Sequence, residues 1–353
     1  MSKTAYLKRN WKLILNISTV VALIILAIAV RKQLGQTIDN LARVKAWALL
    51  LIIPIELLNY HAQARLYQSL FNIVGEKLKY VFLFKLSLEL NFVNHVFPSG
   101  GVSGISYFGL RLRRDGISGG KSTLVQLMKL VMVFSSFEIL LLFGMLALSA
   151  VGKVNGLIIL IGGSLTTLLI VMTGIFLYII GDRNRIQNFF TITTRVVNRI
   201  IHVVRPRNPE TLNIERLRPT FDELHENYGL FKSKFHDLEK PFLYGLLANV
   251  TEIAAIYVIF IAFGHWINIG AMILAYAVAN FAGLVSVLPG GVGVYEALML
   301  AVLTAGGVPA AVSLPATVMY RVVNTLLQLP PGYVLYHRTL RGGREEQSHE
   351  QPA

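Results

Sequence analysis

Cysteine is absent from this chain, and carboxylates are scarce. Without thiols there are no disulfides, thiolate metal sites or cysteine nucleophiles. Charge is thin altogether: Asp, Glu, Lys and Arg make up 15% of the 353 residues, where a soluble domain of this size carries about a quarter. HExxH, P-loop and acidic metal-cluster patterns are missing too. No metal or cofactor is expected, and no residue is assigned a catalytic role.

What is present is apolar residue, 54% of the chain. It is gathered in runs, most of them long enough to cross a hydrocarbon core of about 30 Å. The runs fall at 13–30, 46–60, 80–97, 124–151, 157–180, 242–263, 267–288, 294–305 and 311–336. The expected fold is an all-α polytopic membrane protein. It has about seven full spans plus re-entrant or broken helical hairpins in an inverted repeat. Ala27-Ile28-Ala29 resembles a signal-peptidase site, but Arg31-Lys32 follow it directly, so the first run reads as a retained anchor. The chain divides into a first half, 1–180, a polar amphipathic segment, 181–240, a second half, 241–336, and a polar tail, 337–353, all within one integral membrane domain.

Lys and Arg number 33 against 19 Asp and Glu, a net charge of +14. In a soluble protein that would suggest nucleic acid. Here the basic residues sit between the apolar runs, so the expected partners are anionic lipid headgroups, not nucleic acid. The basic N-terminus, segment 181–240 and the tail with Arg338, Arg341 and Arg344 should all be cytoplasmic, in a cell-membrane protein with both termini inside. They agree only if residues 80–110 enter and leave on one side, turning at Pro98-Ser99-Gly100-Gly101. Arg111, Arg113, Arg114 and Lys121 then face the cytoplasm as well. The basic loop 31–45 runs against this pattern. In segment 181–240, apolar residues at helical spacing predict an interfacial helix followed by a seam from Ile214 to Phe235. The seam would serve a cytoplasmic helical hairpin, a homo-oligomer contact or a cytoplasmic partner.

The second half repeats the break with opposite sense: Leu288-Pro289-Gly290-Gly291-Val292 beside Phe97-Pro98-Ser99-Gly100-Gly101-Val102. Two Pro/Gly-broken apolar segments, one per half, point to a transport site near the midplane. Arg321 lies inside the last run, where an arginine costs about 2.5–3.5 kcal/mol on insertion scales, so it pairs or lines a cavity. Arg321, Asn324 and Gln328 share a face. The guanidinium suits bidentate phosphate recognition; its alternative is a buried ion pair with Glu296. Glu296 follows Gly293 in the first turn of a helix, where it caps the helix, couples transport to protons or repels the wrong substrate. Ser87, Asn91 and Asn94 line the first hairpin helix, with Lys85 and Glu89 paired on its other face. Gln126, Lys129 and Ser136 form a stripe on the next run, and Asn249 and Glu252 pair in position. The candidate binding set is Arg321, Asn324, Glu296, Pro289, Gly290, Gly291, Gly293, Asn91, Asn94, Pro98, Gly100, Gly101, Ser103 and Lys129. Gly101-Val102-Ser103-Gly104 also fits the GxSG pattern of intramembrane serine proteases, but His95 is the only histidine within a run and no later run supplies a base.

Asn94-His-Val-Phe-Pro98-Ser-Gly-Gly-Val-Ser-Gly104, Leu288-Pro-Gly-Gly-Val-Gly-Val-Tyr-Glu296 and Tyr320-Arg321 together resemble the lysylphosphatidylglycerol synthase transmembrane (flippase) domain family. The resemblance covers nearly the whole chain. It departs at Ser103-Gly104-Ile105-Ser106, where many members carry a glutamate and this chain has none. The resemblance implies a membrane domain that flips a modified phospholipid or lipid-linked anion, without the soluble aminoacyl-transferase domain of larger members. The alternative is a non-transporting membrane scaffold or regulatory subunit.

Overall fold

The computed structural model describes residues 44–97, 102–152, 154–189, 191–192, 195, 214–285 and 293–349. The expected span 13–30 and six candidate residues, Pro98, Gly100, Gly101, Pro289, Gly290 and Gly291, lie outside the described residues.

A short helix α1 (Ala46–Leu50) and a turn at Leu51 lead into α2 (Ile52–Ile73). Pro54 sits in the first turn of α2, where a missing N–H costs nothing. The run expected at 46–60 is therefore split, and its helix continues to Ile73. Hydropathy stops short because the second half of α2 is amphipathic: Leu66, Tyr67, Leu70 and Phe71 are buried while Arg65 is exposed. Next come α3 (Tyr80–Val96), ending before Pro98, and α4 (Val102–Arg113). The 32-residue α5 (Gly119–Ala150) is about 48 Å long at 1.5 Å per residue, more than a hydrocarbon core needs. Its N-terminus is capped by Ser118, as Asn155 caps α6 (Gly156–Ile180). Helix α7 (Ile214–Ser233) and a 3₁₀ turn (Phe235–Leu238) precede α8 (Glu239–Ala262). The second half closes with α9 (Ile269–Val285), α10 (Val294–Ala305) and α11 (Ala310–His349).

Four described stretches are long and apolar enough to cross a bilayer: Gly119–Ala150, Gly156–Ile180, Phe235–Ala262 and Ala310–Leu340. Ile269–Ala282 and Val294–Ala305 are shorter apolar helices. The chain is an all-helical, multi-pass membrane protein. Leu146, Leu160 and Phe143 stand more than half exposed on α5 and α6, as lipid-facing side chains do when no water opposes them. Helix α8 is the most enclosed span and packs against α2 and α5.

Loop contacts sort the helix ends into two sets. At one end Glu76 binds Lys121 at 2.6 Å, Lys234 Nζ donates to the Ile73 carbonyl, and Arg114 donates to the Thr339 carbonyl. At the other, Lys45 N–H donates to the Ala262 carbonyl and Asn155 Nδ2 to the Ala305 carbonyl. Helix α3 thus enters from the first, basic end and α4 returns to it, whereas α9 enters from the second end and α10 returns there. The two hairpins point in opposite senses. Their packing is exchanged: α3 lies on α11 and α9 lies on α5, each hairpin against the long span of the other half. At the α3–α11 contact Gly332 is required, because a Cβ there would fall 2.6 Å from Phe92 Cβ and 2.7 Å from the Leu88 carbonyl oxygen.

The seam expected in segment 181–240 has its partner inside the chain. Leu224 and Phe231 of α7 are buried in a cluster with Leu124, Val125 and Met128 of α5. The Glu223 carboxylate accepts from the Ser118 hydroxyl and the Gly120 N–H.

Candidate functional site

The α10 helix begins at Gly293, whose φ of +89° only glycine adopts without strain. The Gly293 N–H donates to Glu296 Oε2 at 2.6 Å, so this carboxylate satisfies an otherwise orphaned donor of the helix N-terminus. Its other oxygen lies 3.7 Å from Nη1 of Arg321 on α11. The side chains are 6% and 13% exposed, and the guanidinium stands 4.8 Å over the Tyr295 ring. Both readings of Glu296, cap and ion-pair partner, hold at once.

The first hairpin reaches the same place. His95, at the end of α3, interacts electrostatically with Arg321, and its ring nitrogen sits 2.9 Å from the Asn91 carbonyl. The Asn94 side chain rests directly against Gly104 of α4, and Ser103 occupies the first turn of that helix. One turn back, Asn91 Nδ2 donates to Tyr60 Oη at 2.8 Å and to Gln328 Oε1 at 3.1 Å. A polar ladder then climbs α11 at four-residue steps. Gln328 Nε2 donates to Asn324 Oδ1 at 2.7 Å, Asn324 Nδ2 to Tyr320 Oη at 3.0 Å, and Tyr320 Oη to Glu252 Oε2 of α8 at 2.7 Å. Arg321, Asn324, Glu296, Gly293 and Asn91 therefore gather around α11, while Asn94 lies against α4.

Lys129 does not join them. It lies on α5, its Nζ 3.1 Å from Tyr67 Oη and 4.7 Å from that ring, while Tyr67 Oη donates to Gln126. Its position mirrors Arg321, since α5 and α11 each follow the broken hairpin of their half and each sets a cation over a tyrosine. Seven residues beyond the motif proline stand Glu296 in the second half and Ile105 in the first, so Lys129 has no equivalent of the Glu296 carboxylate.

Several expected pairs are exchanged for others. Glu89 does not hold Lys85, which is exposed. It accepts from Tyr107 at 2.7 Å and Thr339 at 2.8 Å, with Arg111 at 3.7 Å, because α3 faces α4 and α11 on that side. Ser87 bonds back to the Leu83 carbonyl within its own helix. Asn249 donates to Ser136 and the Val133 carbonyl, leaving Glu252 to Tyr320. Sequence reasoning missed Glu56, Asn59 and Tyr60 of α2. The signal was there: a carboxylate six residues after Leu50 in an apolar run marks a site by default.

Between α3, α4 and α11 at the basic end lies a largely apolar groove of about 220 Å³, with Tyr107 and Tyr336 on its walls and Arg111 and Arg114 among its lining.

An enclosed polar centre where helices of two opposed hairpins meet a charged span defines a polytopic membrane protein. The chain belongs to the family of the lysylphosphatidylglycerol synthase TM region, whose model matches residues 14–332. Two curated relatives are each called a UPF0104 membrane protein, from Methanothermobacter thermautotrophicus. The first is 28% identical over 185 residues, 46% of this chain and 53% of the relative. The second is 31% identical over 117 residues, 32% of this chain and 34% of the relative. The matches thus span about half and about a third of the relatives' lengths.

Proposed function

We propose that the protein moves an anionic phospholipid or lipid-linked anion across the cytoplasmic membrane, and that it does so without a covalent step. The observation that carries this reading is the convergence on α11: Glu296 from one broken hairpin lies 3.7 Å from Arg321, and Asn91 from the other donates to Gln328 of the same helix, inside an apolar bundle. A guanidinium presents a fork of donors matched to phosphate oxygens. A headgroup phosphate would replace Glu296 on Arg321, the carboxylate keeping its Gly293 N–H. Exchange of one anion for another avoids leaving the cation bare in hydrocarbon. The groove beside Arg111 and Arg114 offers the acyl chains an apolar path from the basic end, which we place in the cytoplasm with both termini. Opposed hairpins, each packed on the other half's span, suit alternating exposure of one central site.

The test is a headgroup series in proteoliposomes, with labelled lipids of anionic, zwitterionic and cationic-modified headgroups placed in one leaflet. Translocation should be faster than in protein-free vesicles for lipids with an accessible phosphate charge, and Arg321→Ala should abolish it. Failure to move any of them would favour a scaffold; loss on Ser103→Ala alone would favour an enzyme.

A further inference from the structure

Among the described residues, two carboxylates inside this bundle have no cation beside them. Glu56 of α2 is 5% exposed, and it interacts electrostatically with Glu252 of α8, the helix packed against it. Among the described residues neither forms an ion pair. The groups facing them are neutral phenols and amides from α2, α3, α9, α10 and α11: Tyr60, Asn91, Tyr276, Tyr295, and Tyr320, Asn324 and Gln328. Arg321 is held by Glu296. Gln328 Nε2 donates to Glu56 Oε2 at 3.1 Å, while Glu56 Oε1 is buried without any described hydrogen-bond partner.

Two bare anions so placed would each carry a desolvation cost of several kcal/mol, and their mutual repulsion would add to it. A proton on one of them removes the repulsion and that group's desolvation cost. Placed on the orphaned Oε1, it leaves the Gln328 bond to Oε2 intact. A sodium ion fits less well, since hard cations take oxygen ligands and Gln328 turns its amide nitrogen toward Glu56. We propose that Glu56 and Glu252 form a proton-binding pair, joined to each other by the Tyr320–Asn324–Gln328 hydrogen-bond ladder. The ladder and Arg321 share one helix, so loading the pair biases how α11 sits and thereby sets the neighbouring anion site. The binding claim stands on its own; the coupling rests on the transport reading above.

Infrared difference spectroscopy on the full chain in lipid nanodiscs tests the binding. The wild type should show a protonated-carboxyl C=O stretch near neutral pH that shifts in D2O, with a component lost in both Glu56→Gln and Glu252→Gln. A spectrum that neither substitution changes overturns the pair, as does a component erased by sodium at fixed pH. Proteoliposomes under an imposed proton gradient test the coupling: lipid movement should change several-fold with the gradient in the wild type and lose that dependence in Glu56→Gln. Wild-type movement indifferent to the gradient overturns the coupling. Absence of all lipid movement overturns the transport reading, and the infrared result, which needs no transport, tells that failure apart.

Discussion

Arg321 and Glu296 sit close together with little solvent, so removing either alone strands the other. Arg321→Met should destabilise the protein by about 3–5 kcal/mol, as for other broken buried pairs, whereas Arg321→Met combined with Glu296→Gln should recover much of that loss. Thermal unfolding in detergent of the two single variants and the double variant gives the coupling directly. Additive losses would mean that the 3.7 Å contact contributes nothing. The sequence made this pair legible because intramembrane charge is rare enough to demand a partner. It did not reveal that Glu89 would choose Arg111 over Lys85, since i,i+4 spacing describes one isolated helix and says nothing of which neighbour will cover the face. Glu56 went unassigned for a related reason: its partners Gln328 and Glu252 lie far off in sequence, and only packing brings them near.

Among elements, the contact between α3 and α11 is set by Gly332. Gly332→Ala must push α3 away at backbone-adjacent atoms, so it should cost about 1–3 kcal/mol, the usual range for overpacking. Gly109→Ala on α4, where a Cβ would meet nothing within 4 Å, should be neutral. Equal unfolding midpoints for the two variants would contradict close helix approach here. Helix positions were read well from hydropathy where helices are apolar all round, as in α5, α6 and α8. Where burial is one-sided the reading fell short, and α2 ran 13 residues past its expected end at residue 60, to Ile73. The docking of α7 on α5 was foreseen only as a seam wanting a partner, because periodicity reveals an apolar face but not what covers it.

For the molecule as a whole, the absence of cysteine makes topology simple to test, because any thiol introduced is the only one present. Arg114→Cys and Lys234→Cys should be labelled by an impermeant reagent from the cytoplasmic side alone, and Asn155→Cys and Trp266→Cys from the opposite side alone. Labelling of Arg114→Cys and Asn155→Cys from one side would break the opposed-hairpin arrangement. That arrangement matters because it brings α3 of one hairpin and α10 of the other against one span, α11, which carries a cation inside an apolar bundle. The most direct measurement is the initial rate at which a labelled anionic phospholipid changes leaflet in proteoliposomes carrying the wild type or the Arg321→Met/Glu296→Gln double variant, at matched incorporation. The account predicts transport by the wild type and a rate at the protein-free background for the folded double variant. Equal transport by both would show that no headgroup uses Arg321.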